Sequence, residues 1–376
     1  MNRSLKELTS ILRSQTYTKD VLMRIRQDLD KMGITSENPV TIMHVCGTHE
    51  DTLMKYGIRD LLKRELGERL RMVAGPGCPV CVSPVQDIDF AIALSNVPNV
   101  MITSYGDMVR VPGSTRSLEH QRKNGRDIRI VYSVTDAVKL SLRYKEKNIV
   151  FLSPGFETTV PGTAVEVMNK PPSNFFVLSS HRLVPPALNI LAELSDLALD
   201  GFILPGHVSV IIGERAYESL VDRYQKASAI SGFEPLDILQ GISAVIKQLK
   251  DGIPKVINTY GRAVTHEGNI VAQKYINKVF QTVDAIWRGL GTFSDSGLDF
   301  RPEFAHLDAR SVFGDQVQVE PTREMPPGCL CHKVVIGVIT PHECPLYLTH
   351  CTPEMPIGPC MVGLEGTCRI NAIYGE

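Results

Sequence analysis

The chain has 376 residues, 43% hydrophobic and 22% charged, with a formal net charge of −1. This is the composition of an ordinary soluble globular protein with room for two or three domains. Scattered Lys and Arg and the lack of a long apolar run argue against nucleic-acid and membrane partners. Nine cysteines without a signal-peptide pattern point to the cytoplasm, where thiols serve metal binding or redox chemistry rather than structural disulfides.

Residues 1–13 read as a short capped amphipathic helix, with Ser4 and Glu7 at its start and Leu5, Leu8 and Leu12 on one face. Thr18 caps a second helix, whose apolar stripe is Val21, Ile25, Leu29 and Met32 and whose stop is Gly33. A first α/β block follows, with strands at 40–45, 70–74 and 99–103. The first strand ends at Cys46, and Thr48 with Asp51 forms a capping-box pattern for a helix. The second ends in Gly75-Pro76-Gly77-Cys78-Pro79-Val80-Cys81. Ser83 is the expected cap of the next helix, with Pro84 at its first position and Gln86 completing a capping box.

All three thiols of the N-terminal half therefore sit at strand-to-helix turns. A helix N-terminus lowers the pKa of a nearby thiol and exposes a thiolate. Open parallel sheets place their sites at the carboxyl ends of strands. A lone cysteine is ordinarily a small buried hydrophobe, but the matching C-P-V-C turn favours function for Cys46, Cys78 and Cys81. His49 and Glu50, in the turn after Cys46, count as candidate site residues with them.

A second block begins at residues 127–132, after a boundary at Gly125, and Ser133 with Asp136 caps helix 134–145. Strands 149–152, 175–178 and 201–204 carry Glu157, Thr158, His181 and His207 in the turns at their ends. One such histidine is ordinarily a structural residue and one such glutamate a solvated carboxylate. Four polar groups on three turns are the pattern of a site, and Glu157 and His207 join the candidates. Strands alternating with helices indicate parallel sheets. The expected fold is α/β, with two Rossmann-like parallel-sheet domains at residues 1–125 and 126–318 and a small Cys-rich domain at 319–376. Residues 235–287 read as largely helical, with Tyr275, Val279, Val283 and Ile286 at helical spacing, and 288–320 as irregular. If the strand-end edges of the two large domains face each other, Cys46, the C-P-V-C pair, Glu157, His181 and His207 share one interdomain cleft.

From Pro326 onward Pro, Gly and Cys dominate, with cysteines at 329, 331, 344, 351, 360 and 368. A segment of about fifty residues with so little apolar content needs a metal or disulfide staple. Six cysteines admit several choices of four ligands, of which Cys329, Cys344, Cys351 and Cys368 give the spacing C-x14-C-x6-C-x16-C. All-cysteine ligation suits zinc or a 4Fe–4S cluster. The paired C-x2-C knuckles usual in structural zinc sites and the radical-SAM spacing C-x3-C-x2-C are both absent. Cys331 and Cys360 are left over as a possible second pair.

Five motifs then add up. They are Cys46-Gly47-Thr48-His49-Glu50, Gly75 to Cys81, Gly155-Phe156-Glu157-Thr158-Thr159-Val160-Pro161, Pro205-Gly206-His207-Val208-Ser209 and the tail from Gly358 to Cys368. In this order, over nearly the whole chain, they resemble the HypD family of NiFe-hydrogenase maturation factors. The resemblance implies a scaffold that works with a HypC-type chaperone and a HypE-type cyanide donor to build an Fe(CN)2CO unit. On that reading Cys46 is the thiolate that holds iron, shared with a cysteine of the HypC-type partner. Cys78 and Cys81 are a redox-active pair near the iron, and Cys329, Cys344, Cys351 and Cys368 hold a 4Fe–4S cluster. Two positions depart from the family: His332 stands where Gly is usual after the C-x-C pair, and Gly363 where Ser is usual after Cys-Met-Val. Two other functions compete. One is a thiol–disulfide oxidoreductase fed by the cluster, and the other a non-catalytic iron–sulfur structural protein. Cys46 separates the first reading from the oxidoreductase, which needs no third thiolate.

Overall fold

The structure, a computed structural model, describes residues 14–194, 197–319 and 323–375. The helix expected over residues 1–13 lies outside the described residues. Strands β1 (Val40–His44), β2 (Leu70–Ala74), β3 (Val100–Ser104), β4 (Ile128–Ile130), β5 (Asn148–Gly155), β6 (Phe175–His181), β7 (Gly201–Pro205), β8 (Ala227–Ser231) and β9 (Val256–Asn258) form two sheets. One runs β2-β1-β7-β8-β9 and the other β4-β3-β5-β6, and every pairing in both is parallel. The α/β class with parallel sheets is as the sequence indicates.

All residues of β1, β3, β6, β7 and β8 are buried, as expected of parallel strands covered by helices on both faces. The helices Gln15–Lys31 and Pro235–Asp251 cover one face of the first sheet, burying Ile25, Leu29, Leu239 and Ile242 against Ile42 and Ile203. On the other face, Met43 and Phe202 of this sheet meet Phe156, Leu188 and Trp287. That shared core joins the two sheets, because Phe156 directly follows β5.

The strands do not sort in chain order about residue 125. β3, expected in the first block, pairs with β4 and β5. β7, expected in the second, inserts beside β1, with Ile42 opposite Gly201 and His44 opposite Ile203. A buried parallel strand needs a neighbour on each side, and local hydrophobic pattern marks the strand without naming that neighbour. The consequence for function is direct, because the turns after β1 and β7 become adjacent.

Residues 280–300 also differ from the helical and irregular readings. The helix ends at Val279, and β10 (Phe280–Trp287) pairs antiparallel with β11 (Gly291–Phe300). The positive φ of Gly289 and Gly291 (72° and 91°) supplies the connection. Val283 and Ile286, whose spacing from Tyr275 and Val279 mimics a helix, are β-branched and, with Thr282, favour the strand.

Past residue 323 regular structure is sparse: the helices Cys331–Val334, Pro359–Val362 and Thr367–Tyr374 and a turn at Pro341–Glu343. This segment packs on both sheets. Val362 enters the core of the second, and Gly337 lies so close to β2 that a Cβ there would stand 2.8 Å from the Ala74 carbonyl oxygen.

Candidate functional site

Cys46 follows β1 in extended conformation and occupies the N-cap position of the helix Gly47–Lys55. Its Sγ lies 3.8 Å from Nδ1 of His207, in the turn after β7. Two glycines allow close packing around it. A Cβ at Gly77 would stand 2.3 Å from the Cys46 nitrogen, and one at Gly47 2.4 Å from the carbonyl oxygen of Glu365. The C-terminal segment thus closes over the start of this helix, where Thr48 Oγ1 donates to Glu365 Oε1 at 3.1 Å.

The helix cap does not lower the Cys46 thiol. Burial pushes it up to about 12, with the charge of Glu365 adding to the rise and the nearby backbone of His49 and Thr48 only partly opposing it. The expectation of a free thiolate is therefore corrected: desolvation outweighs a helix terminus, and the thiol is neutral in the chain alone. The capping boxes expected around Thr48 and Ser83 are not formed either. Cys46 and Pro84 hold the N-cap positions, and neither side chain accepts a capping bond.

Burial also holds the site's histidines neutral. His207 is lowered to about 4, and His49 to about 3. His49 Nε2 donates to the Gly232 carbonyl oxygen at 3.0 Å. The two rings tilt against Phe233, at centroid distances of 5.1 Å for His49 and 5.2 Å for His207. Phe233 is a spacer that sequence reasoning missed; its only local signal is its place just after β8. Glu50 points elsewhere. Its carboxylate takes His44 Nε2 at 2.8 Å, the Arg59 guanidinium, and Asn371 Nδ2 at 2.9 Å. Burial alone would raise it, but Arg59 and His44 more than offset that and leave the carboxyl well below its usual range. Glu50 therefore ties the first sheet to the C-terminal helix.

Cys78 and Cys81 are joined in a disulfide with Cα atoms 5.3 Å apart. The C-terminal segment covers it as well: a Cβ on Gly363 would stand 3.1 Å from Cys78 Sγ and 3.4 Å from Cys81 Sγ. Gly363 is one of the two departures from the family tail, so that departure falls directly on the disulfide.

The disulfide belongs to the same buried cluster as all six C-terminal cysteines. Cys329, Cys331, Cys344, Cys351 and Cys368 line one tight pocket of about 10 Å³, together with Tyr347, Gly358 and Met361. Backbone N–H groups aim at two sulfurs: Ile357 at Cys351 Sγ (3.3 Å) and Cys368 at Cys360 Sγ (3.2 Å). Such a soft, all-sulfur donor set with N–H···S contacts fits a thiolate-held cluster. Among the described residues, no three His, Cys, Asp or Glu groups already stand gathered at a metal-binding position. Cys331 and Cys360 are both free. Cys331 lines the pocket beside the four expected ligands, so position alone does not set them apart from it.

The second sheet's polar groups do not join Cys46 as expected. His207 proves to belong to the Cys46 sheet. His181 is absorbed in its own core, within 3.1 Å of Ser153 Oγ and edge-on to Phe280. Glu157 accepts from the Val184 amide at 2.9 Å and lines a cavity of about 260 Å³ with Val160, Leu183, Ile212 and Leu298, which Cys46 does not line. Burial pushes Glu157 up to about 7. Tyr217 is buried and feels the charge of both Glu157 and Cys46.

Fold and site together define an α/β protein that gathers buried thiols at strand ends and in a cysteine-rich C-terminal segment. The family described as "HypD: Hydrogenase formation hypA family" matches residues 16–375. A putative hydrogenase expression/formation protein of Methanocaldococcus jannaschii is 44% identical over 93% of this chain and 97% of its own. The hydrogenase maturation factor HypD of Cupriavidus necator is 40% identical over 89% of each chain, and that of Escherichia coli 36% over 95% of each. The chain belongs to the HypD family of hydrogenase maturation factors. No helix among the described residues is long and apolar enough to cross a membrane.

Proposed function

We propose that this chain is the scaffold on which an Fe(CN)2CO unit is assembled, with Cys46 holding the iron and HypC- and HypE-type partners supplying a second thiolate and the cyanide. The observation that carries this reading is the setting of Cys46: a buried thiol, 3.8 Å from an imidazole kept neutral by burial. A thiol held this high binds nothing until a soft cation replaces its proton. His207 Nδ1 is the nearest acceptor for that proton and, being a weak base here, passes it on. Iron arrives as substrate, and burial under Glu365 and Gly77 keeps water from it.

The Cys78–Cys81 disulfide is the second working part. Opening it takes up two electrons and two protons and yields two thiols beside Cys46. Cys329, Cys344, Cys351 and Cys368 would hold a 4Fe–4S cluster, which supplies one-electron transfer when bound. The covering of the disulfide by Gly363 weighs against a general thiol–disulfide oxidoreductase, whose sulfurs must meet those of other proteins. Seven free thiols among the described residues suit a reducing compartment, the cytoplasm. Infrared spectra of protein purified anaerobically with its chaperone test the reading. Bands from iron-bound cyanide and carbonyl are expected, and their absence from iron-loaded complex would overturn it.

A further inference from the structure

Arg288, in the turn between β10 and β11, is 1% exposed. Its backbone N–H donates to the Val82 carbonyl at the end of the C-P-V-C helix, and its Nε to the Glu324 carbonyl at the start of the C-terminal segment, both at 2.9 Å. Its two terminal nitrogens, Nη1 and Nη2, find no acceptor among the described residues. A buried guanidinium left in this state costs several kcal/mol unless an anion answers it. Its neighbours show which anion is at hand. A Cβ on the adjacent Gly289 would stand 2.6 Å from Cβ of His332 and 3.0 Å from Sδ of Met325, so the turn rests on the residue after Cys331. The groups whose charge acts on Arg288 are Cys331 first, then Glu324, Cys329 and Asp89. Glu324 gives it only a backbone carbonyl, and its own Oε2 is unpartnered among the described residues.

We propose that Arg288 is the buried counter-cation of a thiolate-held metal centre in the C-terminal segment, a positioning residue that secures its anionic ligands and raises its reduction potential. This rests on the reading of that segment as a metal site. Net charge and hydrogen bonds at the sulfurs set the potential of such centres, and a fixed cation nearby favours the more negative, reduced state. Arg suits the place because it stays charged when buried and presents its donors as a rigid fork.

The test compares full-length wild type, Arg288→Lys and Arg288→Gln, purified anaerobically. Three quantities are measured: iron, zinc and sulfide content, the rate of metal loss to a chelator, and the midpoint potential. Arg288→Gln should lose metal at least tenfold faster than wild type. Its one-electron reduction should be at least tenfold less favourable, about 59 mV more negative. Arg288→Lys keeps the charge but loses the Glu324 contact, and should stay near wild type in both. Wild-type rate and potential in Arg288→Gln would overturn the proposal. So would metal loss in Arg288→Lys as fast as a tenfold increase, which would mark a purely structural tie; this arm decides the matter even if Arg288→Gln does not fold. Zinc without sulfide in the wild type would sink the iron–sulfur reading alone and leave the chelator comparison to judge Arg288.

Discussion

Cys46 and the C-terminal cysteines are both buried thiols, yet opposite means hold them. Cys46 sits between a strand paired on both sides and a helix of nine residues, and the cores around it are aliphatic and aromatic. The C-terminal cysteines lie among helices of four to eight residues, and cysteine itself makes up most of the buried cluster there. In the first region the fold positions the thiol. In the second the thiols, and whatever they bind, position the fold. Losing a thiol should therefore cost a ligand in one region and a core in the other.

The largest effect is expected where ligand and core coincide. Replacing Cys329, Cys344, Cys351 or Cys368 by Ala should release the bound metal and expose the segment from residue 323 onward to protease, while both sheets stay folded. Metal analysis with limited proteolysis checks this. A normal metal content in any one variant would remove that cysteine from the ligand set, with Cys331 next in line.

Glu50 tests the seam between the two regions, because it binds Arg59 and His44 on one side and Asn371 on the other. Removing one partner of a buried ion pair costs about 3–5 kcal/mol, so Glu50→Gln should destabilise the chain by that order at neutral pH. The pH dependence follows from its lowered carboxyl. A depressed carboxyl contributes stability above its unfolded value near 4.5 and loses it as pH falls toward the folded one. The gap between wild type and variant should shrink progressively below that pH in denaturant titrations.

Glu157 sharpens the comparison with the opposite sign. Its carboxyl is raised from 4.5 to about 7, so the fold favours the protonated form. Stability present below pH 4.5 is lost as pH rises to about 7. Glu157→Gln mimics the neutral acid and should be more stable than wild type at pH 8, by roughly 3 kcal/mol, with no gain at pH 4. Equal stability at pH 8 would mean that the cavity supplies a counter-charge.

Much of this was legible in the sequence, but unevenly. The turns after Val45 and Ala74 announce themselves through apolar runs followed by Gly, Pro and Cys, and Ser133 caps its helix as read. Cys46 and His207 could not be joined from sequence, because their contact depends on β7 choosing β1 as its neighbour, beside the point where the Thr41 N–H donates to the Asp200 carboxylate 159 residues on. Asn371 was invisible for the same reason: it looks like a surface residue of a helix until the C-terminal segment folds back onto Glu50. The state of the Cys46 thiol escaped because a capping position is a local feature and desolvation is a property of the finished fold. The stretch at Val283 and Ile286 differs for another reason: their spacing of three matches a helix, and the strand accommodates it through the register shift between Val283 and Ala285.

Mössbauer spectra of 57Fe-enriched protein, purified anaerobically with its partner, bear most directly on whether Cys46 and the C-terminal cysteines are separate iron sites. Cys46→Ala should fold normally, lose the mononuclear low-spin iron component completely and keep the cluster signal at wild-type intensity. A Cys46→Ala protein that retains the mononuclear component, or that loses both signals together, would contradict the division.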